Sequence, residues 1–317
     1  MKGFKIFRIF GIDIELHWSW FLVLFYFSWM LAVQVLPQLI PEQSTVAYWF
    51  FGVIMFLLLF VSVLIHELAH SKVAQLFKIR IQRITLMFFG GAAQMESVGR
   101  KAKEEFLIAI AGPLSSLGVA GIFWALAKFL KTDMALVAVS LSYLFVMNLI
   151  LAIFNLLPAY PMDGGRVFKT ILWAISKNEM WSLKIATRVG QAFGLLMMIA
   201  GIFKLGFWFV FIGGFLFLMA PGEYKQLVVK KILESVKAKD VMESIPEAWA
   251  LENLKGLKEA ITCGPDDSLT LVSEKMMREK CIAVFVVKDN EVIGMVPRLE
   301  IDGHIQFKIQ INARRQN

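Results

Sequence analysis

The sequence predicts a polytopic α-helical membrane protein with six transmembrane helices, a re-entrant β-hairpin-like loop and a small C-terminal α+β cytoplasmic domain. Three observations carry the six transmembrane helices. Hydrophobic residues make up 58% of the 317-residue chain and the mean hydropathy is +0.65, above the roughly 45–50% apolar usage of soluble proteins. Uncharged runs occupy residues 18–35, 46–65, 106–127, 134–158, 189–203 and 205–222; the first four have the roughly 20 residues needed to cross a bilayer, and the last two are shorter. Positive charge alternates from one connection to the next, as the positive-inside rule requires of an even number of spans.

Taken in order, Lys2, Lys5 and Arg8 precede the first span. That span exceeds the h-region of a signal peptide, roughly 7–15 residues, and no small-residue cleavage site follows it, so it reads as retained. His17 opens it as an interface anchor. No positive residue occurs between spans one and two, whereas Lys78, Arg80, Arg83, Arg100, Lys101 and Lys103 lie between two and three. The third connection holds Lys128 and Lys131, and the fourth Arg166, Lys169, Lys177 and Lys184. Lys204 and Gly206 divide spans five and six as a tight hairpin, with Arg188 snorkelling at the start of span five. Both termini are then cytoplasmic in a multi-pass cell membrane. Topology accounts for the net charge of +8 better than nucleic-acid binding does.

The end of span two reads His66-Glu67-Leu68-Ala69-His70. On a helix the histidines at i and i+4 share a face and can bind one Zn²⁺, while Glu67 can take a proton from a water activated by the ion. Charged groups are costly at that depth and demand a reason. Span four runs in the same direction and ends in Asn155-Leu156-Leu157-Pro158-Ala159-Tyr160-Pro161-Met162-Asp163-Gly164-Gly165-Arg166. Two prolines break the helix, and broken backbone at membrane depth must line protein or a wet cavity. Asp163 there either supplies a third metal ligand or caps the helix that resumes toward Trp173. Its matching depth with the histidines favours the ligand.

These two motifs, in this order, resemble the site-2 proteases, intramembrane zinc metalloproteases, and within them the six-span bacterial and archaeal branch with a C-terminal CBS-like regulatory domain. The resemblance spans residues 11–222. It implies that His66, His70 and Asp163 hold one Zn²⁺, that Glu67 is general base and acid, and that Asn155 donates a hydrogen bond to the scissile carbonyl or its oxyanion. It also implies cleavage of single-span membrane proteins in regulated intramembrane proteolysis, often after an earlier cut. Typical substrates would be transcription-factor or anti-sigma precursors, or signal-peptide remnants. Gly90-Gly91-Ala92-Ala93-Gln94, after an alternating run from Ile79 to Phe88, resembles the family's membrane-associated hairpin, against the simpler reading of an ordinary turn. Such an edge could pair with an unwound substrate. Ala111-Gly112-Pro113-Leu114-Ser115-Ser116 resembles its Gly-Pro element, but with Ser116 in place of Asn, and reads as close helix packing with a polar helix contact. Glu96, Glu104 and Glu105 could compete as ligands, yet beside Lys101 and Lys103 they read as solvated.

The chain divides at residue 222. In the tail, residues 223–317, Lys239-Asp240-Val241-Met242 and Gly264-Pro265-Asp266-Asp267-Ser268 precede a helix ending near Arg278. A strand at 282–287, a turn at Asp289-Asn290 and a strand at 292–296 follow. This resembles a single CBS-type motif interrupted by residues 243–262, which read as helix. Such motifs work in pairs, which implies a homodimer and an adenine nucleotide between two tails; the alternative is a tail that only folds and tethers. Cys263 and Cys281 read as free thiols, and His304 as a surface residue. A catalytically silent membrane scaffold and a transporter are the competing classes. The first would not need Glu67, both histidines and Asp163 together, and the second does not explain a helical His pair followed by a Pro-broken acid.

Overall fold

The fold is that of a computed structural model, which describes residues 3–87, 90–95, 101–129, 135–244, 261–279, 281–289 and 291–314. It forms two compact units, Met1–Pro221 and Gly222–Asn317.

The first unit begins with an unpredicted hairpin, β1 (Phe4–Ile9) and β2 (Ile12–Leu16), which turns at Phe10 and Gly11 with φ of 51° and 80°. Two successive positive φ values suit the right-handed twist of a two-residue hairpin turn. Lys5 and Arg8, read above as topology charges, both reach Asp13, at 2.7 and 3.3 Å. The chain then rises through α1 (Ser19–Leu39) and α2 (Thr45–Leu76), both apolar enough to cross a membrane. His17 Nδ1 lies 2.8 Å from Ser19 Oγ and accepts from the Ser19 N–H, so it holds the first turn of α1. At 32 residues, α2 is about 48 Å long, more than the roughly 30 Å hydrocarbon core. Ser44 Oγ caps it by accepting from the Ala47 N–H at 3.2 Å, and the Tyr48 hydroxyl donates to the Ile40 carbonyl at 2.6 Å.

Strand β3 (Ile81–Met87) returns parallel to β2, as a strand reached through a helical crossover can, and β4 (Gly90–Met95) closes a sheet of order β1-β2-β3-β4. Gly90 and Gly91 pair with Met87 and Leu86 inside the ladder. The glycine pair therefore lies in a strand antiparallel to β3 and is not itself a turn; residues 88 and 89 lie outside the described residues. Glu96 also lies outside them.

Helices α3 (Ala102–Phe129) and α4 (Ala135–Leu156) follow, then the short amphipathic α5 (Asp163–Ser176), then α6 (Glu179–Lys204) and α7 (Phe207–Ser235). With α1 and α2, the four long ones make six helices long and apolar enough to span a membrane among the described residues. Helix α6 starts ten residues earlier than the uncharged run suggested, capped by Asn178 Oδ1 on the Trp181 N–H at 3.0 Å. Lys184 and Arg188 lie within this helix, and Arg188 is exposed in its third turn. Gly206, at φ 86°, makes the tight reversal into α7. Phe25, Phe50, Ile150, Leu196 and Leu218 are exposed, while His66, His70, Ser116, Asn148 and Asp163 are buried. Apolar outside and polar inside is the arrangement a bilayer selects.

In the second unit, β5 (Thr262–Cys263) runs parallel to β6 (Ala283–Lys288), with α8 (Leu269–Glu279) between them. β6 turns into antiparallel β7 (Glu291–Pro297), and α9 (Arg298–Arg314) follows. Leu269, Val272, Val284, Val286 and Val296 form its core. The turn at 237–241 docks on that at 264–268, where the Ala238 N–H donates to the Asp267 carbonyl at 2.8 Å. Most of the helix expected at 243–262 lies outside the described residues; at its ends Glu243 bridges to Met295 and Thr262 is strand. Both cysteines are free, and burial pushes the Cys263 thiol up to about 11, which makes it a packing group rather than a nucleophile.

Candidate metal centre

The site is assembled from three helices. Toward the end of α2, His66 and His70 are 4% exposed, with Glu67 half-buried one position round. Helix α4 stops at Leu156 because Pro158 cannot continue it, and residues 157–162 turn back on themselves. The Ala159 N–H donates to the Leu157 carbonyl at 2.7 Å and the Met162 N–H to the Ala159 carbonyl at 3.0 Å; the Tyr160–Pro161 bond is cis. Gly164 lets the next helix start tight against this loop, since a Cβ there would strike the Leu156 and Leu157 carbonyl oxygens. Asp163 is the first residue of α5. Met162 holds the N-cap position, and the Asp163 carboxylate turns to the histidines instead.

Asp163 Oδ2 lies 3.1 Å from His66 Nε2 and 3.1 Å from His70 Nε2, and the two nitrogens are 3.2 Å apart. With metal–ligand bonds of about 2.0–2.1 Å, the donor–donor edge of a tetrahedral zinc site is about 3.3 Å, so this triangle has nearly the size of one tetrahedral face. The orientation of the rings agrees. His70 Nδ1 lies 2.6 Å from the Ile108 carbonyl, which can only accept, so Nδ1 carries the proton and Nε2 presents a lone pair. His66 Nδ1 is likewise engaged by Ser116 Oγ at 2.9 Å. Two nitrogen lone pairs and a carboxylate oxygen converging on one point suit a divalent cation, and a metal histidine characteristically gives its other nitrogen to such a partner.

Helix α3 supplies these partners from one face. Glu105, Ile108, Gly112 and Ser116 follow at intervals of three, four and four residues, and all are buried. Ser116, expected as a polar helix contact, bonds to a candidate ligand. Removing its acceptor by Ser116→Ala is expected to lower zinc affinity roughly 10–100-fold, measured by competition with a chromophoric chelator. Glu105 corrects a second expectation: it is 1% exposed and pairs with Lys169 at 2.8 Å, so it is neither solvated nor a competing ligand. Glu67 lies within electrostatic reach of His66, Asp163 and Arg166. Asn155 is half-buried near the end of α4, and its amide donates to the Leu151 carbonyl at 3.0 Å. One of its two amide protons is thus held within its own helix.

A polytopic helical protein whose long apolar helix carries His-Glu-x-x-His against a third donor, a carboxylate oxygen, defines the class of membrane zinc metallopeptidases. Sequence comparison supports this class. The profile of peptidase family M50 matches residues 54–140 and 131–201. A zinc metalloprotease of Methanocaldococcus jannaschii is 31% identical over 293 residues, 92% of this chain and 77% of that protein. Rip3 of Mycobacterium tuberculosis is 34% identical over 249 residues, 75% of this chain but 63% of its own length. Among solved structures, the site-2 protease from Methanocaldococcus jannaschii matches 70% of this chain and 95% of its own with a TM-score of 0.50 at 31% identity. The chain belongs to peptidase family M50, the site-2 proteases, and is a metalloendopeptidase of that family.

Proposed function

We propose that His66, His70 and Asp163 bind one Zn²⁺ and that the protein hydrolyses a peptide bond of single-span membrane protein substrates in regulated intramembrane proteolysis. The observation that carries the reading is the convergence of three donor atoms beside Glu67, two from a helix of membrane-spanning length and one from the start of the short α5. Zinc, when bound, supplies Lewis acidity that polarises the scissile carbonyl and brings the pKa of water to about 7. Glu67 takes the proton of the attacking water and returns it to the leaving amine. Asn155 turns its second amide proton toward the developing oxyanion. The Ile108 carbonyl holds His70 in the tautomer that leaves Nε2 open, and Ser116 Oγ, which can accept from Nδ1, fixes the orientation of the His66 ring.

A peptide bond inside a helix cannot be reached, so the substrate must unwind before it is cut. β4 is an edge strand of small residues, Gly90 to Ala93, and we assign it as the edge that pairs with the extended substrate from a re-entrant position. Both termini are assigned to the cytoplasm of a multi-pass cell-membrane protein, which places the site toward the cytoplasmic side. The tail, with its β5–α8–β6 crossover, is assigned as a CBS-like module that pairs in a homodimer and takes an adenine nucleotide between its copies.

The test is metal analysis of the purified protein together with cleavage of a fluorescent single-span substrate in proteoliposomes. One zinc per chain and chelator-sensitive cleavage are expected. Stoichiometric zinc without cleavage of any membrane substrate, with or without adenine nucleotide, would sink the reading. Asp163→Ala is expected to lose zinc; wild-type affinity in that variant removes Asp163 from the ligand set.

A further inference from the structure

The site described so far leaves unexplained a cluster of charges that lies directly behind Asp163. On α5, Asp163, Arg166 and Lys169 follow one another at three-residue intervals on one stripe. Arg166 Nη1 lies 3.9 Å from Asp163 Oδ1, the oxygen that does not face the histidines, and its Nε lies 4.0 Å from Glu105 Oε1. Lys169 Nζ donates to both oxygens of Glu105, at 3.0 and 2.8 Å, and approaches Glu179 Oε1 at 3.6 Å. Glu105 is 1% exposed and Lys169 4%. Burying two full charges is costly, and such a pair is a weak source of stability, so its use should be sought in what it orients.

We propose that Arg166 is a positioning residue that keeps Asp163 bound through Oδ2 alone, and that the buried Glu105–Lys169 pair anchors Arg166 in that role. A carboxylate can give a metal one oxygen or two. If Asp163 used both, it would occupy the position that a hydrolytic zinc site must leave open. Arg166 faces Oδ1 and draws it away from the metal, while Glu105 holds the guanidinium from behind. Lys169 compensates the charge of Glu105, so that the anchor can be buried. Glu105 shares its helix face with Ile108, Gly112 and Ser116, so the same face of α3 that orients both imidazoles also orients the carboxylate, through Arg166. Two histidines and an acid from different helices are thereby referred to one rigid frame.

This inference rests on the metal-ligand assignment above, and its test separates the two. Zinc affinity by chelator competition and the visible spectrum of the Co²⁺-substituted protein are measured for wild type, Arg166→Gln, Arg166→Lys and the double variant Glu105→Gln/Lys169→Met. The double variant replaces the buried pair by neutral groups and so avoids leaving one charge unpaired. Wild type that binds no zinc overturns the ligand assignment itself. Given zinc-binding wild type, Arg166→Gln is expected to bind zinc about 10–100-fold more weakly. Its Co²⁺ absorption should lose the intensity of four-coordinate metal as Oδ1 joins the coordination. Arg166→Lys should recover most of both, and the double variant should show the same spectral change as Arg166→Gln at an unchanged zinc-free melting temperature. Wild-type Co²⁺ spectra in Arg166→Gln and in the double variant overturn the proposal. If Arg166→Gln does not fold, the double variant decides alone: a wild-type spectrum refutes the anchor and a weakened one supports it.

Discussion

Glu67→Gln is expected to retain one zinc per chain and to cleave a single-span substrate roughly 10²–10⁴-fold more slowly than wild type, the range that a positioned general base contributes. The substitution is nearly isosteric, and Glu67 lies beside the ligand set rather than in it. The three donor atoms that meet at 3.1–3.2 Å all belong to other residues, so their geometry should survive. What is lost is the capacity of one group to accept a proton and pass it on. His66 and His70 cannot take over, because each ring has Nδ1 committed to a partner on α3 and Nε2 aimed at the metal position. Measuring zinc content and turnover on the same preparation separates this outcome from simple metal loss. Turnover above a tenth of wild type with zinc in place would mean that Glu67 is not the base.

The parts of this site that could be read from the sequence were those within one helix or one break. The spacing of His66 and His70 is a helical repeat, and the paired prolines at 158 and 161 announce that α4 ends before Asp163, with a break between them. The rest depends on contacts across long sequence separations. Ser116 meets His66 fifty positions away, and Glu105 meets Lys169 sixty-four positions away. Local charge made Glu105 look solvated, because Lys101 and Lys103 were visible beside it and the buried partner was not. A signal was nevertheless present: Glu105, Gly112 and Ser116, small or polar residues, recur at helical spacing at the start of and within an apolar span. Periodicity of that kind marks a face, without saying what it faces. The first hairpin escaped for a different reason. Its strands are short and β1 is exposed along most of its length, so it looked like a basic leader; the alternation Ile12-Asp13-Ile14-Glu15-Leu16 and the turn residues Phe10-Gly11 were the signals that could have found it. Charges counted as topology signals were also partly spent elsewhere. Arg166 and Lys169 face Asp163 and Glu105, so their place in the sequence overstates the free positive charge between spans four and five.

The variant that most directly tests this arrangement is Gly112→Ala, which is expected to abolish stoichiometric zinc and cleavage while leaving the zinc-free protein folded. On propensity alone the change should help, since alanine is favoured over glycine within a helix by about 0.5–1 kcal/mol. The site overrides this. A Cβ at position 112 would fall against His70 Nε2, 2.5 Å from His70 Cε1 and 2.6 Å from His66 Nε2, on the very atoms that should hold the metal. The rings have little room to retreat, because Ile108 and Ser116, on the same face of the same helix, hold their Nδ1 atoms at 2.6 and 2.9 Å. Relief requires either breaking those bonds or moving α3 outward, and overpacking of this kind costs about 1–3 kcal/mol. Either response spreads the donor triangle, so the effect on metal binding should far exceed the effect on stability. Gly118→Ala is the control: it lies on the same helix with nothing within 4 Å of its Cβ position, and it should bind zinc and cleave as wild type does. Equal behaviour of the two variants would show that α3 does not press on the histidines, and that the donors converge for some reason other than the shape of this face.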